Sequence, residues 1–236
     1  MVKVINNKKY GTYIEMKKNT KTVVITGSNG GIGKSLVKLL YNNNFNIYAC
    51  ARKKSEEHTS FIESLKNKNS NETFIKEIYF DFENREEVKK SAEKIILSEN
   101  SIYGLINNAS IIHTAPFQMT SVKTFEKLFD VNFFSQLYFT QYIIKNMIKK
   151  KNGSIINISS TAAFDGIEGR SAYSSSKAAW VSITKVMSKE LSRFNIRVNS
   201  IAPGLTNTKM LNENTNNTLD KSKSIPVKYL SWNVVF

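Results

Sequence analysis

The segment Thr22-Val23-Val24-Ile25-Thr26 runs directly into Gly27-Ser28-Asn29-Gly30-Gly31-Ile32-Gly33. The five residues before the glycines read as a short buried strand, and Ile32 to Tyr41 reads as a helix. The glycine cluster is therefore a strand-to-helix turn. In such a turn Gly27 permits the tight bend, Gly31 lets backbone approach a pyrophosphate, and Gly33 lets helix and strand pack closely. The helix N-terminus then faces the phosphates. A purely structural turn is the alternative, and the rest of the chain has to decide between them.

The pattern that follows alternates strand and helix. Asn46–Ala51, Phe74–Phe80, Tyr103–Asn107, Ser154–Ser159 and Ile196–Ile201 read as strands. Ser55–Lys68, Arg85–Leu97, Ser121–Lys150 and Ala172–Phe194 read as helical, the third as two helices joined near Val131. This predicts an α/β fold with a parallel sheet covered on both faces. Asn212–Ser224 reads as a polar loop or flap.

Composition narrows the function. With 34 Lys+Arg against 19 Asp+Glu the chain carries +15, which raises nucleic acid as a partner. However, 29 of the basic residues are Lys and only 5 are Arg, and Asn numbers 27. Arg is the side chain that reads phosphates and bases bidentately, so the charge reads as a Lys- and Asn-rich solvated surface, with no nucleic-acid partner. His58 and His113 lack metal-ligand spacing, so no metal is expected. The single Cys50 excludes an intrachain disulfide and fits a reducing, cytoplasmic setting. No apolar run approaches the about 18 residues of a membrane span, and the first residues show no secretory pattern.

Tyr173 and Lys177 are four apart on a helix and share a face, and an ammonium beside a phenol lowers its pKa toward useful acid–base work. Ser160 stands at the carboxyl end of a buried strand, where parallel sheets place their sites. Together with the T-G-x-x-x-G-x-G loop, Asn107-Asn108-Ala109-Ser110, Asn132 and Pro203-Gly204-Leu205-Thr206-Asn207-Thr208, these residues make the chain resemble the short-chain dehydrogenase/reductase family, with a flavour similar to the 3-oxoacyl-acyl-carrier-protein reductases. The spacing 173 − 160 = 13 between Ser160 and Tyr173 is the family's, and the resemblance spans Lys21 to Met210.

The resemblance implies a single Rossmann-type doubly wound sheet and an NAD(P)-dependent oxidoreductase acting on a carbonyl or alcohol, carried by an acyl-carrier protein or free. It implies that Ser160 orients the carbonyl, Tyr173 donates its proton, Lys177 binds ribose hydroxyls and tunes Tyr173, and Asn132 holds a water. Gly27, Ser28, Asn29, Gly31, Ile32, Gly33, Asp81, Asn108, Ala109, Pro203, Gly204, Thr206 and Thr208 would bind cofactor with Tyr173 and Lys177. NAD-specific relatives keep an acid at the end of the second strand; here stands Cys50-Ala51-Arg52-Lys53. Arg52 suits a 2′-phosphate, so NADP(H) is expected over NAD(H). A homodimer or tetramer is implied.

Two departures stand out. Residues 1–20 form an N-terminal extension ahead of the catalytic domain at 21–210, and a start at Met16 would suffice for the fold. After Gly204 only 236 − 204 = 32 residues follow, and 211–236 is atypical: the family's last strand is missing or altered, by truncation, frame-shift or substitution. From this come reduced activity and a compromised tetramer, with an NADPH sensor or remnant as the alternative function. A competing possibility is a short substitute strand within Trp232–Phe236.

Overall fold

A computed structural model describes residues 20–68, 73–99 and 101–208, with the strand backbones of 2–7, 11–16, 225–226 and 234–235. Strands β1 (Val2–Asn7) and β2 (Gly11–Met16) pair antiparallel as their own hairpin. The main domain then runs β3 (Thr22–Thr26), α1 (Gly31–Asn42), β4 (Asn46–Ala51), α2 (Glu56–Lys68), β5 (Ile75–Tyr79), α3 (Arg85–Ser98) and β6 (Ile102–Asn107). It continues through α4 (Val122–Phe129), α5 (Ser135–Lys150), β7 (Gly153–Ile158), α6 (Ala162–Asp165), α7 (Ser171–Leu191) and β8 (Ile196–Ile201). Short strands β9 (Thr206–Asn207) and β10 (Ile225–Pro226) pair in parallel, and β11 (Val234–Val235) pairs antiparallel with β8.

The sheet order is β11-β8-β7-β6-β3-β4-β5, with β3 to β8 all parallel. The chain winds outward from β3 through β4 and β5, then returns to β6 on the other side of β3. The reversal opens a crevice at the carboxyl ends of β3 and β6, the switch point of a doubly wound sheet.

Each strand serves both faces, as side-chain alternation requires. Val23 and Ile25 join Val37, Tyr41, Ile47 and Ile62 on the face covered by α1 and α2. Val24 joins Val88, Ile95, Leu105, Phe139, Ile143 and Met147 beneath α3 and α5. Because both faces are covered, the central strands are near-continuous apolar runs, and all five residues of β3 are buried. Helix starts follow capping rules: Asn84 accepts from the N–H groups of Glu86 and Glu87, and Ser121 from that of Thr124. Helix α5 stops at Lys151, in the left-handed region at φ 49°.

Helices α4 and α5 are joined at Val131, and the joint, Asp130–Phe134, is a π-helical turn. The sheet edge beside β8 carries a two-residue antiparallel strand, Val234–Val235. The polar segment Asn212–Ser224 lies outside the described residues.

Candidate active site

The glycine turn is held from behind. Gly27 lies at φ +64°, and a Cβ there would sit 2.8 Å from the Ala109 Cα, so the turn also presses against the end of β6. A Cβ on Gly33 would fall 2.1 Å from the Gly27 carbonyl oxygen, so α1 closes onto the turn itself. A Cβ on Gly31 would meet the Thr208 methyl at 2.7 Å: in this conformation Thr208 covers the approach to that glycine. Ser28 is fully buried; its hydroxyl donates to the Cys50 carbonyl at 2.9 Å and lies 3.3 Å from His58 Nε2. Its side chain therefore fixes the turn to β4 instead of facing the crevice, while Asn29 is exposed and Ile32 packs half-buried beside the core.

The two strand ends are stitched by amide and hydroxyl groups. Asn108 Nδ2 donates to the carbonyls of Thr26 (3.0 Å) and Gly27 (3.1 Å). Thr26 Oγ1 accepts from the N–H groups of Asn108 (2.9 Å) and Ala109 (3.0 Å) and faces Gln136 Oε1 at 3.3 Å. Gln136 Nε2 donates to the carbonyls of Ala109 (2.8 Å), Asn132 (3.0 Å) and Val131 (3.2 Å). Trp180 Nε1 donates to the same Asn132 carbonyl at 2.6 Å. A π-turn upsets the regular carbonyl pairing of a helix, and these two side chains supply the donors.

The turn presents Asn132 inward, fully buried. Its Oδ1 accepts from the Ile111 N–H (2.8 Å) and its Nδ2 donates to the Ile111 carbonyl (2.9 Å) and the Ser176 hydroxyl (3.1 Å). Its amide is thus committed to anchoring the loop after β6.

At the carboxyl end of β7, Ser160 accepts from the Ala162 N–H at 3.2 Å, and its hydroxyl lies near enough to the Tyr173 phenol to act on its titration. Burial raises the pKa of Tyr173, while the Ser160 hydroxyl and the Arg170 charge act the other way. Lys177 is 2% exposed; its Nζ donates to the Ile158 carbonyl at 2.9 Å and lies 5.8 Å from the Tyr173 ring centre. Burial lowers its pKa to about 7. Ser159, the neighbouring serine, donates to the Lys177 carbonyl at 2.8 Å and faces inward.

Beside the turn lies a cleft of about 220 Å³ whose lining includes Gly27, Asn29, Arg52, Asp81, Ala109 and Val131. Arg52 is exposed at its rim. Asp81 accepts from the Glu83 N–H at 3.0 Å and holds the loop after β5. On the other side of the site, buried Pro203 accepts from the Thr161 N–H at 3.0 Å, Gly204 is exposed, and Thr206 donates to the Gly204 carbonyl at 3.0 Å. Of the residues singled out from the sequence, Gly27, Asn29, Arg52, Asp81 and Ala109 line this cleft, Ser160, Tyr173 and Lys177 gather at the end of β7, and the Ser28 side chain is turned away toward β4. Thr26, Gln136, Trp180 and His58 were not among them. The only sequence signal for Gln136 is its position one turn after Asn132; His58 carries none.

The profile of the short chain dehydrogenase family matches residues 21–219. A 3-oxoacyl-acyl-carrier-protein reductase (FabG) from Buchnera aphidicola subsp. Baizongia pistaciae is 35% identical over 217 residues, 91% of this chain and 86% of that protein. An acetoacetyl-CoA reductase from Acinetobacter sp. (strain RA3849) is 30% identical over 191 residues, 81% and 76% respectively. The structure of an NAD+-bound xylitol dehydrogenase superposes with a TM-score of 0.74 at 26% identity, covering 80% of this chain and 72% of that one.

Proposed function

The chain belongs to the short-chain dehydrogenase family and is an NAD(P)-dependent oxidoreductase, and from that premise we propose that it reduces the ketone of a 3-oxoacyl thioester, with NADP(H) preferred over NAD(H). The observation that carries the reaction type is the meeting of Ser160, Tyr173 and Lys177 at the end of β7, in the crevice that holds the glycine turn. The substrate class rests on the two curated relatives, whose named substrates share the 3-oxoacyl thioester group. The positive surface suits an acidic carrier protein.

A cofactor fits the residues present. The glycines at 27 and 33 leave a turn into which no Cβ could be built, and the adjoining cleft has Arg52 at the end of β4, with no carboxylate at 50–54. Arg52 would take the 2′-phosphate, the turn the pyrophosphate, Asp81 the adenine side and Lys177 the ribose hydroxyls. When bound, the reduced nicotinamide supplies a hydride. The chain's own residues do the rest: Ser160 orients the carbonyl, and the Tyr173 phenol gives its proton to the carbonyl oxygen, which becomes the hydroxyl. Asn132 acts in this reading by fixing the loop at Ile111.

Parallel assays of NADPH and NADH oxidation with acetoacetyl-CoA, a carrier-protein-bound 3-oxoacyl chain, a ketose and a cyclic ketone test the proposal. The fastest turnover is expected for NADPH with a 3-oxoacyl thioester. A ketose or cyclic ketone turned over faster would refute the substrate class, and a preference for NADH would refute the role of Arg52.

A further inference from the structure

Three residues before Tyr173, at the mouth of α7, a guanidinium is buried with no counter-charge among the described residues. Gly169 takes the left-handed conformation (φ +73°) and its carbonyl accepts from the Ala115 N–H at 2.9 Å. Arg170 follows; its N–H donates to the Ile167 carbonyl at 3.1 Å and its carbonyl accepts from the Ser174 N–H at 2.8 Å. The side chain is therefore rooted in the first turn of the helix, and the spacings 170, 173 and 177 put it on the face shared by Tyr173 and Lys177. Arg170 is 5% exposed, and its Nε and Nη2 are buried with no hydrogen-bond partner. Among the described residues no carboxylate pairs with it; Asp165 and Glu168, on the same segment, point to solvent.

An unpaired buried cation is costly to a fold, and such costs gather at functional sites. Its field is also uncancelled, in surroundings of low dielectric where a charge acts strongly. Other charged and titratable groups on α7 and on the elements beside it include His113 of the loop after β6, Lys123, Glu126 and Lys127 of α4, Asp130 of the π-turn, the two exposed carboxylates just named, and Lys177. The charge that favours the phenolate of Tyr173 is that of Arg170. Lys177 is turned to the Ile158 carbonyl, and near neutral pH burial leaves it charged only part of the time. A guanidinium keeps its proton far more firmly.

We propose that Arg170 is a positioning residue for proton transfer: its unpaired charge favours the phenolate form of Tyr173. The inference rests on the reading of Tyr173 as proton donor. In carbonyl reduction Tyr173 must carry its proton, and in alcohol oxidation it must have lost it. Oxidation with NADP+ therefore rises with pH through the phenol's titration, and removing a nearby cation moves that limb to higher pH.

The test is the pH profile of kcat/KM for oxidation of a 3-hydroxyacyl thioester, in the parent, Arg170→Met and Arg170→Lys, with Tyr173→Phe as control. Arg170→Met is expected to move the limb up by about one pH unit or more, with about tenfold lower kcat/KM at a fixed pH below it. NADP+ affinity should be unchanged, and the melting temperature should not fall, since an unpaired buried charge has been removed. Arg170→Lys should keep the limb near the parent's. A limb unmoved in Arg170→Met, or moved equally by Arg170→Lys, would overturn the inference. If the methionine variant does not fold, Arg170→Gln removes the charge while keeping a polar side chain, and is read by the same rule. If Tyr173→Phe keeps full turnover, the proton-donor reading has failed; if it is inactive and the limb is unmoved, only the role of Arg170 has.

Discussion

Gly33→Ala tests whether the glycine turn is built as described. The added Cβ would stand 2.1 Å from the Gly27 carbonyl oxygen and 2.8 Å from the Ser28 Cα, against the 3.0 Å below which such contacts are essentially never found. The backbone must yield by about 3.0 − 2.1 = 0.9 Å, and neither side is free to do so. The Gly27 carbonyl accepts from the Gly30 N–H and from Asn108 Nδ2, both at 3.1 Å, and Ser28 is pinned to Cys50. Overpacking of this kind costs about 1–3 kcal/mol, and the two weakened hydrogen bonds add about 1 kcal/mol. A total of about 2–4 kcal/mol corresponds to a melting temperature about 4–16 °C lower for a domain of this size. The displaced helix N-terminus should also bind NADPH at least about tenfold more weakly. Differential scanning fluorimetry and a fluorescence titration with NADPH read the two effects. Gly30→Ala is the control within the same turn: its Cβ meets the same oxygen at an ordinary 3.5 Å and its φ of −78° suits alanine, so its stability should stay within about 0.5 kcal/mol of the parent. A Gly33→Ala protein as stable as Gly30→Ala, with parental NADPH affinity, would refute the reasoning.

Three further outcomes follow. Arg52→Asp should weaken NADPH binding about tenfold or more while leaving NADH binding equal or better, as read by isothermal titration; equal NADPH affinity would remove Arg52 from the site. Gln136→Leu should lower stability by about 2–4 kcal/mol in chemical denaturation, because the carbonyls of Ala109, Val131 and Asn132 lose a common donor; a neutral effect would show that the π-turn does not depend on it. Burial lowers the Lys177 pKa from 10.5 to about 7, so between those values the unfolded chain binds the extra proton and Lys177 makes stability rise with pH. The pH slope of unfolding over that window should be smaller in Lys177→Met than in the parent, and an identical slope would contradict the assignment.

The sequence reveals the scaffold because the scaffold is local. Five buried residues of β3 followed by glycines that only a strand-to-helix turn would need, and a regular alternation of apolar strands with amphipathic helices, leave little besides a doubly wound sheet. The register of Ser160, Tyr173 and Lys177 is legible for the same reason: a strand end and a one-turn helical spacing fix it. The details that depend on distant partners are not legible. Nothing in Asp130-Val131-Asn132-Phe133-Phe134 announces a π-turn; it exists because Gln136 and Trp180 satisfy its carbonyls. The inward hydroxyl of Ser28 depends on Cys50 and on His58, a histidine thirty residues away (58 − 28 = 30) that packs fully buried with Nδ1 3.5 Å from Glu77. The unpaired state of Arg170 is visible only once its surroundings are folded.

The central claim is that the Tyr173 phenol delivers the proton in an NADPH-dependent carbonyl reduction. Its most direct test is the turnover of acetoacetyl-CoA by Tyr173→Phe, with NADPH affinity measured on the same sample. One oxygen is removed and the ring is kept, so the account predicts parental NADPH affinity with turnover reduced by about 100-fold or more, the scale of a lost general acid. Turnover equal to the parent's, with the cofactor bound, would contradict it.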